Sequence, residues 1–172
     1  MIQGLHRHLS EDTILLDLDG RLELPDDTPV SELPPRQRHE FKKTILKVMV
    51  ELMDSSGKIV NPSKCLTDLA NREAKATTGL GMGLAMPHVR TMQARELVMA
   101  VMRSDRGLYF NSLDQAPVHV FVGMVGPSYD DKLYLRMMST VARAMQEEAL
   151  LPIVMGAETP RDIFGTFCRM RV

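Results

Sequence analysis

The side chains with the clearest chemical potential lie in one stretch, Arg72 to Arg90, which reads REAKATTGLGMGLAMPHVR. Glycine stands at three alternate positions, 79, 81 and 83, and glycine loses more backbone freedom on ordering than any other residue. Such a run indicates a place where the backbone approaches another group or adopts a positive φ. The apolar residues 84–86 predict a short strand that delivers His88 to a loop, and Pro87 stiffens the chain that enters it.

An imidazole on a stiff backbone beside a glycine-rich loop suits a nucleophile that handles an anion. Neutral His88 would be a good nucleophile near pH 7, and the guanidinium groups of Arg72 and Arg90 would favour the neutral ring and bind phosphate oxygens. The hydroxyls of Thr77 and Thr78, with glycine N–H groups, could complete an anion-binding nest. This set predicts phosphoryl transfer to histidine. The alternative, a structural histidine after a plain loop, stays open.

The sequence contains no motif for the other common chemistries. There is no GxxxxGK[ST] loop, the glycine run does not complete GxGxxG because position 86 is Met, and no GxSxG, HExxH or CxxC motif occurs. His6 and His8 stand two residues apart, but without a third ligand nearby we expect them to be solvated surface residues. The sequence therefore predicts no metal site and no cofactor.

Composition places the chain among ordinary globular domains. With 172 residues and a net charge of −1, it is most simply one domain over residues 1–172 and offers no electrostatic case for nucleic acid or an anionic membrane. No apolar run reaches 18 residues, so we expect no direct membrane insertion. Two distant cysteines, Cys65 and Cys168, fit a reducing cytoplasmic compartment.

The elements that must position His88 follow from periodicity and capping signals. Apolar residues at three- and four-residue spacings predict a helix over residues 36–53, and Asn61-Pro62 is an N-cap followed by Pro at N1. That second helix would run to about Ala74 and carry Arg72 in its last turn. Strands alternating with helices indicate a layered α/β domain. Beyond these we predict strands at 14–18, 97–102 and 118–125, helices at 131–146, 147–155 and from 160, and a Pro-rich loop or arm at about 19–38.

The stretch around His88 resembles the signature of a known family. Arg72-Glu73, then TGLGMGLAMPHV over residues 78–89, is similar to the motif of the enzyme IIA domain of the bacterial phosphoenolpyruvate-dependent sugar phosphotransferase system, fructose/mannitol type, which includes nitrogen-regulatory paralogues. The resemblance extends to LSEDTILLDL near the start, to Leu113-Asp114 before the strongest strand, and to YLRMMSTVA over residues 134–142.

The resemblance implies a three-layer α/β/α domain with a mixed β-sheet flanked by helices. It implies that His88 accepts a phosphoryl group on its tele nitrogen, Nε2, from the histidine-containing phosphocarrier protein and passes it to a IIB component. Arg72 would contact the phosphate. Thr78, Gly81, Gly83 and Arg90 are the further phosphate-binding candidates.

Two positions depart from the family pattern. Tyr134 stands where the family places a second histidine; a tyrosine can donate a hydrogen bond but cannot carry a proton at neutral pH. Val89 replaces the small residue that usually follows the active histidine and should narrow access to it. Two alternatives to a carrier remain: a regulatory module that binds a target protein and uses His88 as a switch, and a degenerate relative that only binds an anion.

Overall fold

The sheet is built on one long apolar strand, VHVFVGMVGP, of which the sequence predicts residues 118–125 from their β-branched side chains; the strand continues two residues further, to Pro127. The computed structural model describes residues 4–25, 28–147 and 150–170, with the side chain of residue 147 left out. Within them the strands are β1 (Ile14–Leu15), β2 (Gly79–Gly81), β3 (Leu84–Ala85), β4 (His88–Thr91), β5 (Val98–Leu108) and β6 (Val118–Pro127). The helices are α1 (Pro35–Asp54), α2 (Pro62–Lys75), α3 (Asp131–Glu147), α4 (Leu150–Gly156) and α5 (Pro160–Arg169).

The sheet is mixed, with strand order β1-β5-β6-β3-β2, and β4 also pairs with β6. The β5–β6 and β2–β3 pairs are antiparallel, whereas β1 is parallel to β5 and both β3 and β4 are parallel to β6. Two short strands therefore follow one another along the same side of β6.

Helices cover both faces of the sheet, which confirms the predicted three-layer α/β/α architecture. One apolar core joins the sheet to α1 and α2, through side chains such as Met49, Leu69 and Phe121. The other joins it to α3, α4 and α5, through Met124, Met137 and Phe167 among others. None of the helices in the described part of the chain is long and apolar enough to cross a membrane.

Capping residues and prolines in the sequence predicted where helices begin. Asn61 accepts a hydrogen bond from the N–H of Lys64 and caps α2, as its type and the following proline predict. The helix α1 begins at Pro35, so the loop predicted for about 19–38 ends earlier than expected because a proline is readily accommodated at N1. That loop contains short 3-10 turns at Asp19–Arg21 and Val30–Glu32, and its residues 26 and 27 lie outside the described residues.

Several predictions near the sheet need correction. The strand predicted at 14–18 has only two paired residues, and β5 continues past residue 102 to Leu108 through an irregular register. His8 is not a solvated residue: it is 8% exposed, and its Nδ1 lies 3.2 Å from the carbonyl oxygen of Leu97. The chain segment before β1 packs against α5, and burial lowers the pKa of this imidazole.

Candidate functional site

Pro87 separates β3 from β4 without changing their register against β6. Leu84 pairs with Val120 and His88 with Met124, so the pairing offset is the same on both sides of the break. Pro87 has no N–H to give to a sheet, but its carbonyl accepts a hydrogen bond from the N–H of Met124 at 2.9 Å. His88 is thus the first residue of a strand, not part of a loop as the sequence predicts.

Both nitrogen atoms of the His88 ring have defined neighbours. Nδ1 lies 2.7 Å from the carbonyl oxygen of Met86, which can only accept, so Nδ1 carries a proton. Nε2 lies 3.3 Å from Nη2 of Arg72, which can only donate, so a neutral ring presents the lone pair of Nε2. Burial lowers the pKa of His88, the Met86 carbonyl opposes this, and the Arg72 charge lowers the pKa further. The half-buried ring is therefore held neutral with Nε2 as its nucleophilic atom.

Arg72 reaches His88 from the last turn of α2, where the sequence places it. Its Nη1 donates to the carbonyl oxygen of Ala76 at 3.1 Å, just past the end of the helix, while Nη2 faces the imidazole. One guanidinium group therefore ties the end of α2 to the nucleophile, and the remaining N–H groups can still bind an anion.

Thr78 is not placed as a phosphate ligand. Its backbone N–H donates to the Glu73 carboxylate at 2.9 Å, its hydroxyl donates to the other carboxylate oxygen, and the residue is 4% exposed. Glu73 also accepts from Nζ of Lys42 on α1 at 2.9 Å. The buried carboxylate thus uses both Thr78 donors to fasten the end of α2, which removes them from the role that the sequence predicts.

Gly81 and Gly83 belong to a hairpin turn, which corrects their prediction as phosphate-binding residues. Gly81 pairs with Leu84, and the two residues between them, Met82 and Gly83, have φ angles of 54° and 79°, as a type I′ turn requires. The Met82 N–H donates to the carboxylate of Asp114 at 2.9 Å. Since Gly83 lies five residues before His88 along extended chain, about 16 Å separates them. The glycines shape the hairpin and do not meet the imidazole.

Arg90 and Tyr134 both lie beside His88, as predicted, but Arg90 has a partner that the sequence did not reveal. Its Nη1 donates to Oδ1 of Asp131, the first residue of α3. Its Cζ lies 5.7 Å from the centroid of the Tyr134 ring, which is 6.5 Å from the centroid of the His88 ring. Burial raises the pKa of Tyr134 to about 12, against the opposing charges of Arg72 and Arg90, so its hydroxyl stays protonated and can donate.

Val89 does not cover the imidazole. Successive side chains of a strand point to opposite faces, and Val89 packs partly buried in the core formed with α1 and α2. His88 pairs with Met124, which belongs to the core on the α3 side. The valine in place of a small residue therefore packs mainly into the layer behind the ring, and only part of it lines the cleft that contains His88.

An open cleft in front of His88 collects the remaining site residues. Besides His88, Arg72, Arg90 and Tyr134, its lining includes Lys75, Asp68, Asp131, Met92 and Leu135. Met92 and Leu135 are among the exposed large apolar side chains, at 82% and 61% exposure. Thr78, Gly81 and Gly83 do not line it. Among the residues that the structure describes, no group of three or more His, Cys, Asp or Glu side chains is arranged to hold a metal ion.

Comparison with known proteins agrees with this geometry. Residues 35–168 match the family model described as "Phosphoenolpyruvate-dependent sugar phosphotransferase system, EIIA 2". A fructose-specific EIIA component of the phosphotransferase system from Haloferax volcanii is 24% identical over 136 residues, which cover 79% of this chain and 88% of that protein.

Solved structures of related proteins share the fold. The nitrogen regulatory protein IIA-Ntr from Neisseria meningitidis superposes with a TM-score of 0.74 at 19% identity, covering 95% of this chain and 98% of that one. The mannitol enzyme IIA from Escherichia coli, in its complex with phosphorylated enzyme IIB, gives a TM-score of 0.64 at 12% identity, covering 91% and 94%.

Proposed function

The chain belongs to the EIIA 2 family of the phosphoenolpyruvate-dependent sugar phosphotransferase system, and we propose that it carries a phosphoryl group on Nε2 of His88. The observation that supports this most directly is the state of the ring. Nδ1 is occupied by the Met86 carbonyl, while Nε2 has its lone pair in an open cleft with a guanidinium 3.3 Å away. A nucleophile of this kind needs no general base, because its attacking nitrogen carries no proton.

The transfer is a substitution at phosphorus between two nitrogen atoms. Nε2 of His88 forms the new P–N bond as the P–N bond of the donor phosphohistidine breaks, and the electron pair of that bond stays on the donor imidazole. The ring of His88 becomes cationic as the bond forms and keeps its Nδ1 proton. The Met86 carbonyl, 2.7 Å away, stabilises that developing charge.

Three side chains would bind the transferred group. Arg72, which contacts Nε2, would hold phosphoryl oxygens there, and Arg90 lies two residues further along the same strand face as His88. The protonated hydroxyl of Tyr134 would donate a third hydrogen bond in the position where the family resemblance expects a histidine. Thr78, Gly81 and Gly83 have no part in this arrangement.

The partners would be proteins. We propose the histidine-containing phosphocarrier protein as the donor and a IIB component as the acceptor, because the related mannitol enzyme IIA was solved with phosphorylated enzyme IIB. The exposed apolar side chains of Met92 and Leu135 beside the cleft fit a protein surface better than a small sugar.

A regulatory role is the second candidate. Tyr134 cannot exchange protons near neutral pH, since burial raises its pKa to about 12. Phosphate bound beside it could remain for longer than a fast relay needs, and a long-lived charge on His88 would suit a switch read by a target protein. The fold shared with a nitrogen regulatory protein is consistent with this use.

The test is phosphorylation of the whole chain by enzyme I, the phosphocarrier protein and phosphoenolpyruvate. We expect one acid-labile phosphate, assigned to Nε2 of His88 by NMR, and its loss in His88→Gln. His39→Gln, an exposed histidine on α1 outside the cleft, is the matched control and should be phosphorylated normally. A wild-type chain that takes up no phosphate, or an H88Q variant that takes up as much, contradicts the proposal. Transfer from the phosphorylated chain to a IIB protein, or its absence, then separates the carrier from the switch.

A further inference from the structure

Arg90 and Asp131 form an ion pair across the mouth of the cleft that contains His88. Arg90 is the third residue of β4, so it shares a strand face with His88, two residues before it. Asp131 begins α3, which covers that face of the sheet. The two side chains are 44% and 62% exposed, so the pair lies at the rim of the cleft, in contact with solvent.

Tyr134 joins this pair to the imidazole. It lies three residues after Asp131, on the same side of α3, and its ring is 6% exposed. The Arg90 guanidinium carbon is 5.7 Å from the ring centroid, and the His88 ring is 6.5 Å from it with a 50° angle between planes. The guanidinium therefore rests against the same aromatic ring as the nucleophile, with Asp131 holding it on the side of α3.

The charges in the cleft set up a competition for Arg90. In the unphosphorylated protein its nearest anion is the single charge of Asp131. A phosphoryl group on Nε2 would bring a charge of about −2 and three acceptor oxygens to the other side of the same ring. An exposed ion pair contributes little net free energy, so exchanging one partner for a stronger one costs little.

We propose that Asp131 is a positioning residue that holds Arg90 away from Nε2 while His88 is unphosphorylated and gives it up to the phosphoryl group afterwards. This rests on the proposed phosphorylation of His88. The exchange leaves the Asp131 carboxylate unpaired at the start of α3, on the rim that a partner protein would meet. The charge pattern of that rim, and not only the histidine, then differs between the two states.

The hold on Arg90 is testable without any phosphate. Asp131→Asn keeps the shape of the side chain but removes its charge, so Arg90 can approach His88 and should lower the pKa of the imidazole, measured by NMR titration of the ring protons. In the Arg90→Gln background the same substitution should have a much smaller effect. Asp131→Glu should restore the wild-type pKa, and Glu11→Gln, which removes a carboxylate from a distant surface ion pair with Arg161, should leave it unchanged.

The second measurement is the equilibrium of His88 phosphorylation against the phosphocarrier protein. Without its competitor, Arg90 should favour the phosphorylated form, so Asp131→Asn should raise the equilibrium constant about two- to fivefold, the range of an exposed ion pair. The gain should disappear in the Asp131→Asn, Arg90→Gln double variant. Equal effects of Asp131→Asn with and without Arg90, in either measurement, would show that the carboxylate acts directly and overturn the proposal.

The two proposals fail separately. A chain that takes up no phosphate refutes the proposed function, while the titration still decides whether Asp131 controls Arg90. A chain that is phosphorylated normally, but whose pKa and equilibrium do not respond to Asp131→Asn, keeps the proposed function and refutes the role of Asp131.

Discussion

The Nδ1 atom of His88 lies 2.7 Å from the carbonyl oxygen of Met86, two residues earlier in the same chain. The Pro87 carbonyl accepts from the N–H of Met124 on β6, whereas the N–H of Met86 bonds to Thr78 on the other side, so strand alternation directs the Met86 carbonyl away from β6. Its contact with Nδ1 fixes the tautomer and the direction of the imidazole together. The remaining nitrogen, Nε2, faces Arg72.

Replacing Arg72 should affect both the titration and the reactivity of His88. In Arg72→Gln the pKa of His88 should rise, because the guanidinium charge lowers it in the wild type. Phosphoryl acceptance should fall about 100-fold, the usual cost of losing one preorganised donor at a developing anion. Arg72→Lys should recover only part, since an ammonium group lacks the planar fork. The rate of phosphorylation and NMR titration of His88 measure these effects. The control is Arg36→Gln, which changes an exposed residue of α1. An equal loss of phosphorylation in both variants would contradict the role of Arg72.

The pH dependence of phosphorylation follows from the lowered pKa of His88. Protonation removes the lone pair of Nε2, and burial together with Arg72 places that protonation below the ordinary value of 6.5. The rate should therefore be constant well above the ordinary pKa and reach half of its maximum at a pH below 6.5. Initial rates across this range, beside a direct NMR titration of the ring, check the sign. A midpoint above 6.5 in both would mean that the ring is stabilised as a cation.

Tyr134 should contribute through its hydroxyl to transfer and through its ring to stability. Tyr134→Phe keeps the ring beside His88 and Arg90, so the free energy of unfolding should change little, while transfer should fall about tenfold for one lost hydrogen bond to a charged group. Tyr134→Leu should also lower the free energy of unfolding, by about 2 kcal/mol, because the buried ring leaves a cavity. Transfer rates and urea unfolding separate the two contributions, and a Phe variant with full activity would remove the hydroxyl from the mechanism.

Gly83 should matter for stability and not for phosphate binding. Its φ of 79° is unfavourable for any residue with a Cβ, and an added Cβ would come within 3.3 Å of Leu151. Gly83→Ala should lower the free energy of unfolding by about 1 to 2 kcal/mol while leaving the phosphorylation rate of the folded protein unchanged. Urea unfolding and the phosphorylation assay are the measurements. If Gly83→Ala instead lost phosphorylation without losing stability, the hairpin would have a role in phosphate binding.

Glu73 should contribute more to the free energy of unfolding than a carboxylate in a surface ion pair does. Glu73→Gln leaves Lys42, whose side chain is 12% exposed, without its anion, and replaces one acceptor oxygen by an NH2 group that faces other hydrogen-bond donors. We expect a loss of about 3 kcal/mol in the free energy of unfolding. Glu51→Gln, which breaks a surface pair with Arg21, is the matched control and should cost less than about 1 kcal/mol. Similar losses in both variants would contradict the special role of the buried carboxylate.

The sequence predicted what local chemistry controls. Asn61 with the following proline marked the start of α2, and the β-branched run of β6 marked the central strand. Arg72 and His88, 16 residues apart, lie in contact, as expected from the placement of Arg72 in the last turn of α2. In each case the signal lies within a few residues or within one continuous motif.

What the sequence did not predict depends on distant partners. The strand β4 reads His-Val-Arg-Thr, which has no apolar run, and it becomes a strand only because β6 is there to pair with it. From the sequence, Thr78 was a candidate phosphate ligand. In the structure both of its donors bind Glu73, in a network that includes Lys42 from another helix. Asp131 is 41 residues from Arg90, and no spacing rule connects them.

The constant pairing offset on either side of Pro87 makes the number of residues before His88 as critical as their identity. Adding or deleting one residue between Gly83 and Pro87 would rotate the imidazole into the layer of α1 and α2 and turn its valine neighbour outwards. A change of two residues would return the imidazole to its original face of the sheet. It would, however, move Nε2 of His88 by about 7 Å relative to Arg72. Insertions and deletions should therefore be tolerated only outside residues 83–88.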